Sequence, residues 1–165
     1  MTPIPDETPG RTYEYTAFIS YRHAPLDKQA AERIEHSIEH YAVPAEFRER
    51  MGGRRIGKVF RDEDEMAISS ELSDTIRTAL DRSRFLIVIC TPELPGSRWC
   101  AEELRYFLET HDREHVIPVL ADGSPETSFP PALLHEYDAD GNIVRDIEPL
   151  GANIAGPDHS IDRKA

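Results

Sequence analysis

The chain has 165 residues, enough for one compact domain but too few for two well-formed ones. Its 31 acidic and 19 basic side chains give a formal charge of −12 at pH 7, which argues against nucleic acid or an anionic membrane as a main partner. Two cysteines form no disulfide framework, and no segment reads as a signal peptide or a membrane span, so we expect a cytoplasmic protein.

The first half of the chain predicts a strand, a helix and a second strand after a disordered leader at residues 1–12. Aromatic and β-branched residues dominate Tyr15–Tyr21, which is typical of a strand. Asp27 is predicted to cap the next helix, which ends before Pro44 and has one apolar face, formed by Ala30, Ile34, Ile38 and Tyr41. A short strand at Lys58–Arg61 leads into the acidic loop Asp62–Glu65.

The middle of the chain predicts a second helix and a buried third strand. Ser69 or Ser70 is predicted to cap the helix, whose apolar residues are Ile68, Leu72, Ile76 and Leu80. The run Phe85–Cys90 is continuous, apolar and rich in β-branched residues, which favours a parallel strand covered on both faces.

A third helix and a fourth strand follow. Ser97 is predicted to cap the helix, in which Glu103 lies one turn after Trp99. Pro118 cannot donate to a ladder, so the strand Val116–Leu120 is expected at or near the sheet edge. Alternating strands and helices predict a parallel α/β sheet, in which ligands bind at the carboxyl ends of the strands. Glu103 is therefore the first candidate for a functional residue.

The C-terminal part gives a weaker pattern. The turn Asp140–Asn142 is expected to join two short extended segments, whereas Pro149–Ala165 has no clear apolar face. We interpret residues 135–165 as the C-terminal part of the domain or a linker, truncated before a final helix.

Four motifs occur in an order and spacing that resemble a Toll/interleukin-1 receptor (TIR) domain of the bacterial type over residues 13–134. They are Phe18–Arg22, Val59–Asp62, Ser97–Leu104 and Val116–Leu120. The resemblance implies a flavodoxin-like three-layer sandwich with strand order 2-1-3-4-5, here with an incomplete last strand and helix. Ser20–His23 and Pro92–Glu103 would then flank the topological switch point. Glu63–Ser69 departs from the family because it lacks the Pro-Gly turn of many relatives.

The resemblance implies an activity for Glu103, which matches the glutamate with which related domains cleave the nicotinamide–ribose bond of NAD⁺. Nicotinamide leaves as a neutral molecule while positive charge develops on the ribose, so one carboxylate can stabilise the transition state. The products would be ADP-ribose, a cyclic ADP-ribose or a base-exchanged dinucleotide. NAD⁺ enters as the substrate, and neither a further cofactor nor a metal is expected.

The resemblance also implies the rest of a binding site. Tyr21 is expected to stack on the substrate, Arg22 and His23 to contact its pyrophosphate or ribose, and Ser20 to supply a backbone or hydroxyl contact. Arg61 would close over the substrate or meet a neighbouring subunit, and Trp99 would contact the substrate or pack in the core. Activity is expected to require assembly with other TIR domains, driven by a sensor or oligomerisation domain on a longer chain.

Other interpretations of the same residues stay open. The domain would be an effector of a bacterial immune or stress system, a non-catalytic adaptor acting through homotypic TIR contacts, or an enzyme acting on another nucleotide. Glu103 also has a purely structural interpretation, because a negative charge in the first turns of a helix is stabilised by the helix dipole. Cys100 is interpreted as a buried thiol rather than a nucleophile because no motif supplies a base. The acidic runs Asp62–Glu65 and Asp138–Asn142 are not interpreted as metal sites, since the second has Pro149 where a calcium loop needs glutamate.

Overall fold

A computed structural model describes residues 13–42, 44–47, 57–61, 73–147 and 152–153. The strands are β1 (Tyr15–Ser20), β2 (Val59–Arg61), β3 (Ser83–Cys90), β4 (Val116–Leu120), β5 (His135–Tyr137), β6 (Ile143–Asp146) and β7 (Ala152–Asn153). The helices are α1 (Pro25–Glu39), α2 (Asp74–Asp81), α3 (Arg98–Thr110), α4 (Pro125–Ser128) and α5 (Pro131–Leu134). The leader at residues 1–12, the loop Asp62–Glu65 and the segment 154–165 lie outside the described residues.

A parallel sheet with the order β2-β1-β3-β4-β7 forms the centre of the domain. The first four positions confirm the predicted order, and the short strand β7 takes the fifth. Pro118 lies in β4, between β3 and the last strand, which confirms its near-edge position. The fold class is therefore an α/β sandwich of the flavodoxin-like type.

The alternation of side chains along the strands divides the core into two layers. Phe18, Leu86 and Val88 pack with residues of α2 and α3 on one face of the sheet. Ala17, Ile19 and residues of α1 pack on the other face, together with Ile87 and Ile89. Every residue from Leu86 to Cys90 is buried, as expected for a strand covered on both faces.

The helix starts differ from the predictions at two places. Ala24 is the N-cap of α1, because Pro25 occupies the first helical position, where its fixed φ and missing N–H are tolerated. The prediction that Asp27 caps α1 is therefore wrong, and Asp27 lies inside the first turn. Ser73 caps α2, and its hydroxyl accepts a hydrogen bond from the Ile76 N–H at 3.2 Å. The predicted caps Ser69 and Ser70, with Ile68 and Leu72, lie outside the described residues.

Two further predictions are confirmed. Ser97 caps α3 and accepts a hydrogen bond from the Cys100 N–H at 3.3 Å. β5 and β6 form an antiparallel hairpin outside the main sheet, with a turn that includes Gly141 at φ 83°. Within the described ranges, no helix has both the length and the apolar character needed to cross a membrane.

Candidate functional site

Glu103 lies on the face of α3 that packs against the sheet. It shares this buried face with Cys100, Leu104 and Phe107, and it is only 1% exposed. Ser20 is the last residue of β1 and points toward the same side of the sheet as Phe18. The Ser20 hydroxyl donates a hydrogen bond of 2.9 Å to Glu103 Oε1. β1 and α3 thus place a hydroxyl and a carboxylate together at the carboxyl edge of the sheet.

This edge is the switch point of the fold. β1 and β3 are neighbours, but the chain leaves β1 toward β2 and leaves β3 toward β4. Connections that diverge from adjacent parallel strands leave a crevice outside their carboxyl ends, where α/β proteins bind ligands. The segments 20–23 and 92–103 therefore both lie at this switch point, as the family resemblance implies.

A second buried carboxyl group lies at this edge, and the sequence analysis missed its position. Asp27 is 2% exposed, and the hydroxyl of Thr91, the residue after β3, donates to Asp27 Oδ2 at 3.3 Å. Burial raises the pKa of Asp27, against a smaller lowering by the charge of Arg22. Helical spacing could have indicated this burial, because Asp27 is three, four and seven residues before the buried positions Ala30, Ala31 and Ile34.

Arg22 and His23 lie in the connection between β1 and α1. The Arg22 guanidinium forms an ion pair of 3.7 Å with Glu93 in the connection after β3. The His23 ring stacks on Tyr21, with 4.6 Å between the ring centroids. Arg22 thus lies at the crevice with a side chain that is 32% exposed, available to a solvent-borne ligand.

Tyr21 and Arg61 lie on the α1 face, not on the face of Glu103. Tyr21 packs in the α1 layer, and its hydroxyl accepts a hydrogen bond of 3.3 Å from Arg61. Arg61 Nε donates to Glu35 at 2.7 Å, and Glu32 lies 3.9 Å from the guanidinium. Burial lowers the pKa of Arg61, but the hydrogen bonds and charges of Glu35 and Tyr21 outweigh it and raise that pKa overall. The substrate contacts predicted for these two residues stay predictions.

Trp99 and Cys100 open α3. Trp99 is half-buried and packs against the core layer of α2 and α3, so its predicted contact with substrate stays a prediction. Burial, with an added contribution from the charge of Glu103, raises the pKa of the Cys100 thiol to about 12. A thiol with this pKa is protonated at neutral pH, which agrees with the interpretation of Cys100 as a buried thiol.

An apolar cavity of about 290 Å³ adjoins α3, but Glu103 does not line it. Its lining includes Leu94, Cys100, Leu104 and the segment 130–132. Among the described residues, no group of three or more His, Cys, Asp or Glu side chains is arranged to hold a metal ion. Glu103 is only 1% exposed, so its carboxylate is shielded from solvent in this conformation.

The chain is similar to one protein family, to a curated relative and to solved structures. The family model described as "TIR domain" matches residues 17–148. The NAD(+) hydrolase ApTIR of Actinoplanes sp. is 31% identical over 132 residues, and the match covers 72% of this chain but 17% of the relative. The TIR domains of the activated Roq1 resistosome directly recognizing the pathogen effector XopQ are similar in structure, with a TM-score of 0.51 and 27% identity over 68% of this chain and 61% of that chain.

Proposed function

The chain belongs to the TIR domain family, and from this membership we propose that it cleaves the nicotinamide–ribose bond of NAD⁺. One observation carries the proposal: the carboxylate of Glu103 is buried at the switch point and accepts a hydrogen bond from Ser20. The 31% identity to a protein named NAD(+) hydrolase supports the same assignment. The products are nicotinamide and either ADP-ribose or a cyclic or variant form of it.

The chemistry needs little from the protein beyond an oriented negative charge. The glycosidic bond breaks with both electrons moving to the pyridinium nitrogen, so nicotinamide leaves neutral and the ribose carbon becomes cationic. A carboxylate beside that carbon stabilises the charge, and its effect is larger in a water-poor site, where the effective dielectric constant is low. Water then adds to the cationic carbon and loses a proton. In this scheme Glu103 stabilises the cation, while Ser20 holds the carboxylate in one orientation.

Arg22 supplies the charge that an anionic dinucleotide requires. The net charge of the chain is −12, so the pyrophosphate of NAD⁺ is attracted only where a local cation offsets the acidic surroundings. The guanidinium of Arg22 is partly exposed at the same edge as Glu103 and forms charge-assisted hydrogen bonds to phosphate oxygens readily. His23 and Trp99 complete the proposed binding surface from the two flanking connections.

Assembly is the proposed means of activation. Glu103 is closed off in the described conformation, so the isolated domain is expected to turn over slowly. The similarity to TIR domains of a resistosome supports the proposal that several copies associate on activation. We propose that this association gives the substrate access to Glu103. The match covers 17% of the length of the named hydrolase. We propose that a sensor or oligomerisation domain on a longer chain drives the association. The activity would serve a bacterial immune or stress response in the cytoplasm.

Nicotinamide release by clustered protein tests the proposal. The unsubstituted chain, Glu103→Gln and Glu102→Gln are each fused to an oligomerising scaffold and incubated with NAD⁺. Glu102 is the matched control because it neighbours Glu103 on α3 but pairs with Arg105 at the surface, at 2.8 Å. We expect release by the unsubstituted chain and Glu102→Gln, and a loss of at least about 100-fold for Glu103→Gln.

Two results would contradict the enzyme proposal. Equal release by all three proteins would show that Glu103 is not the catalytic group. No release under any clustering condition would favour the adaptor, which acts through homotypic contacts without turnover. A parallel series with NADP⁺ and other nucleotides identifies the substrate class if NAD⁺ itself is not cleaved.

A further inference from the structure

Two histidines lie one turn apart at the C-terminal end of α1. His36 is in the last turn of the helix and His40 is its C-cap, and both side chains are exposed. Residues four apart on a helix have neighbouring side chains. The two imidazole rings accordingly stack, with 4.1 Å between their centroids and 26° between their planes. The pair belongs to α1 and therefore lies on the opposite side of the sheet from Glu103.

A hydrogen bond identifies the nitrogen of His40 that can bind a metal ion. His40 Nδ1 lies 2.9 Å from the carbonyl oxygen of His36. A carbonyl oxygen only accepts hydrogen bonds, so Nδ1 carries the hydrogen and the lone pair of the neutral ring is on Nε2. Histidines that bind metals almost always donate their other ring N–H to a carbonyl, a carboxylate or water. His40 is therefore oriented as an Nε2 ligand.

The spacing of the pair is one that helical metal sites use. Metalloproteases bind zinc through two histidines four residues apart on one helix face, and His36–His40 has the order His-x-x-Glu-His. The intervening Glu39 is directed toward β2, because its carboxylate accepts a hydrogen bond of 3.2 Å from the Val59 N–H. The motif therefore indicates ion binding and gives no support for proteolysis.

The surroundings of the pair favour a cation. The carbonyl groups in the last turn of a helix carry partial negative charge, and the chain has a net charge of −12. Arg33 is the only Lys or Arg in the sequence from 29 to 42. Imidazole ligands suit Zn²⁺, Cu²⁺ and Ni²⁺, whereas Mg²⁺ and Ca²⁺ require oxygen ligands. The ligand chemistry thus selects a transition-metal ion.

We propose that His36 and His40 together bind a divalent ion of the class Zn²⁺, Cu²⁺ or Ni²⁺, with water in the remaining coordination positions. Stacked rings do not direct their lone pairs to one point, so one ring must turn when the ion binds. The His36 ring turns, because the hydrogen bond to the helix carbonyl holds the ring of His40. The site is separate from Glu103 and independent of the proposed cleavage of NAD⁺.

Calorimetric titration of the full chain with NiCl₂ at neutral pH tests the proposal. The unsubstituted chain is compared with His36→Gln, His40→Gln and His135→Gln. His135 is the matched control, because its Nδ1 is paired with Asp146 at 2.9 Å on the separate hairpin of β5 and β6. Far-UV circular dichroism checks the fold of each variant, which we expect to be retained because His36 and His40 are exposed.

The expected pattern assigns the ion to the pair. His36→Gln and His40→Gln should each raise the Kd for Ni²⁺ at least about tenfold, since loss of even an outer-shell partner of a ligand has an effect of this size. His135→Gln should leave the Kd unchanged. CuCl₂ should bind more tightly than NiCl₂, and MgCl₂ should not compete. In NMR spectra, substoichiometric Cu²⁺ should broaden the amide signals of residues 36–40 first.

Three results would overturn the inference. An equal Kd for the unsubstituted chain and for either variant of the pair would show that the ion binds elsewhere. Absence of Ni²⁺ binding by the unsubstituted chain would show that the pair is not a chelating site. Broadening by Cu²⁺ centred on another histidine would have the same meaning as an equal Kd. None of these results bears on the cleavage of NAD⁺, because the assays measure metal binding alone.

Discussion

The two faces of the sheet use charged residues in different ways at its carboxyl edge. On the α1 face, the Arg61 guanidinium forms an ion pair of 2.7 Å with Glu35 and donates a hydrogen bond to the Tyr21 hydroxyl. On the α3 face, Glu103 is buried against the Ser20 hydroxyl at 2.9 Å. The ion pair between Arg61 and Glu35, in which the guanidinium is mostly buried, joins β2 to α1. In the proposed reaction, the buried carboxylate of Glu103 at the switch point would instead stabilise positive charge that develops on the substrate. We therefore expect substitutions on the α1 face to affect mainly stability, and substitutions around Glu103 to affect mainly the proposed cleavage.

Arg61→Gln gives the largest expected loss of stability on the α1 face. The Arg61 side chain is 10% exposed, so removing its charge leaves Glu35 without its close partner and should lower the free energy of unfolding by about 2 kcal/mol. Urea unfolding followed by circular dichroism measures the loss. Arg105→Gln is the matched control because Arg105 also pairs with two carboxylates but is 56% exposed, and it should cost less than about 0.5 kcal/mol.

The division between the faces would fail if Arg61→Gln leaves stability unchanged and raises KM for NAD⁺. That result would support the predicted contact of Arg61 with the substrate.

Ser20→Ala sharpens the comparison on the α3 face. Loss of the hydroxyl that orients Glu103 should lower kcat about tenfold, as expected for one hydrogen bond to a charged group. Ser83→Ala is the control, because the buried Ser83 hydroxyl donates to the Ala79 carbonyl at 2.6 Å at the other end of the sheet. It should lower stability but not kcat. Unchanged kcat in Ser20→Ala would remove Ser20 from the site.

The sequence predicted the parts of the fold that depend on local pattern. The buried run Phe85–Cys90 and the cap Ser97 follow from residue type and spacing, and the structure places them as expected. No local pattern shows that Tyr21 and Arg61 lie on the face of the sheet opposite Glu103, and their predicted substrate contacts stay predictions. The placement of Arg61 depends on its pairing with Ile19, a long-range register that the sequence does not reveal.

Asp27 shows why the predicted cap of α1 was wrong: the residue lies buried in the first turn of the helix rather than at its N-cap. An aspartate near a helix start favours capping, yet Pro25 sets the start two residues earlier and turns Asp27 inward. The preference for capping is local, whereas the position of the first turn depends on where β1 ends and how the connection packs. The prediction failed because it used only the local preference.

The pH dependence of stability gives a smaller effect that tests the environment of Asp27. Its folded pKa is raised above the ordinary 3.8, so the folded state binds more protons than the unfolded state just above that pH. Stability therefore falls as pH rises from about 3.8 through the folded pKa, relative to Asp27→Asn, which does not titrate. Urea unfolding of both proteins across this range measures the difference. A difference that is constant with pH would contradict the burial of this carboxyl group.

The thiols should show the smallest effect. Burial raises the pKa of both Cys90 and Cys100 to about 12, so neither is a thiolate at pH 8. Iodoacetamide is expected to leave both unmodified in the folded protein and to label both in urea, as read by mass spectrometry. Rapid labelling of Cys100 in the folded protein would contradict its assignment as a buried thiol and reopen its role as a nucleophile.

The most direct test of the account is the separation of binding from chemistry at Glu103. Single-turnover cleavage of NAD⁺ and the Kd for ADP-ribose are measured on clustered unsubstituted protein and on Glu103→Gln. If the buried carboxylate stabilises the ribose cation, the cleavage rate should fall at least about 100-fold while the Kd changes by less than about threefold. An unchanged cleavage rate, or a loss confined to the Kd, would contradict the central claim.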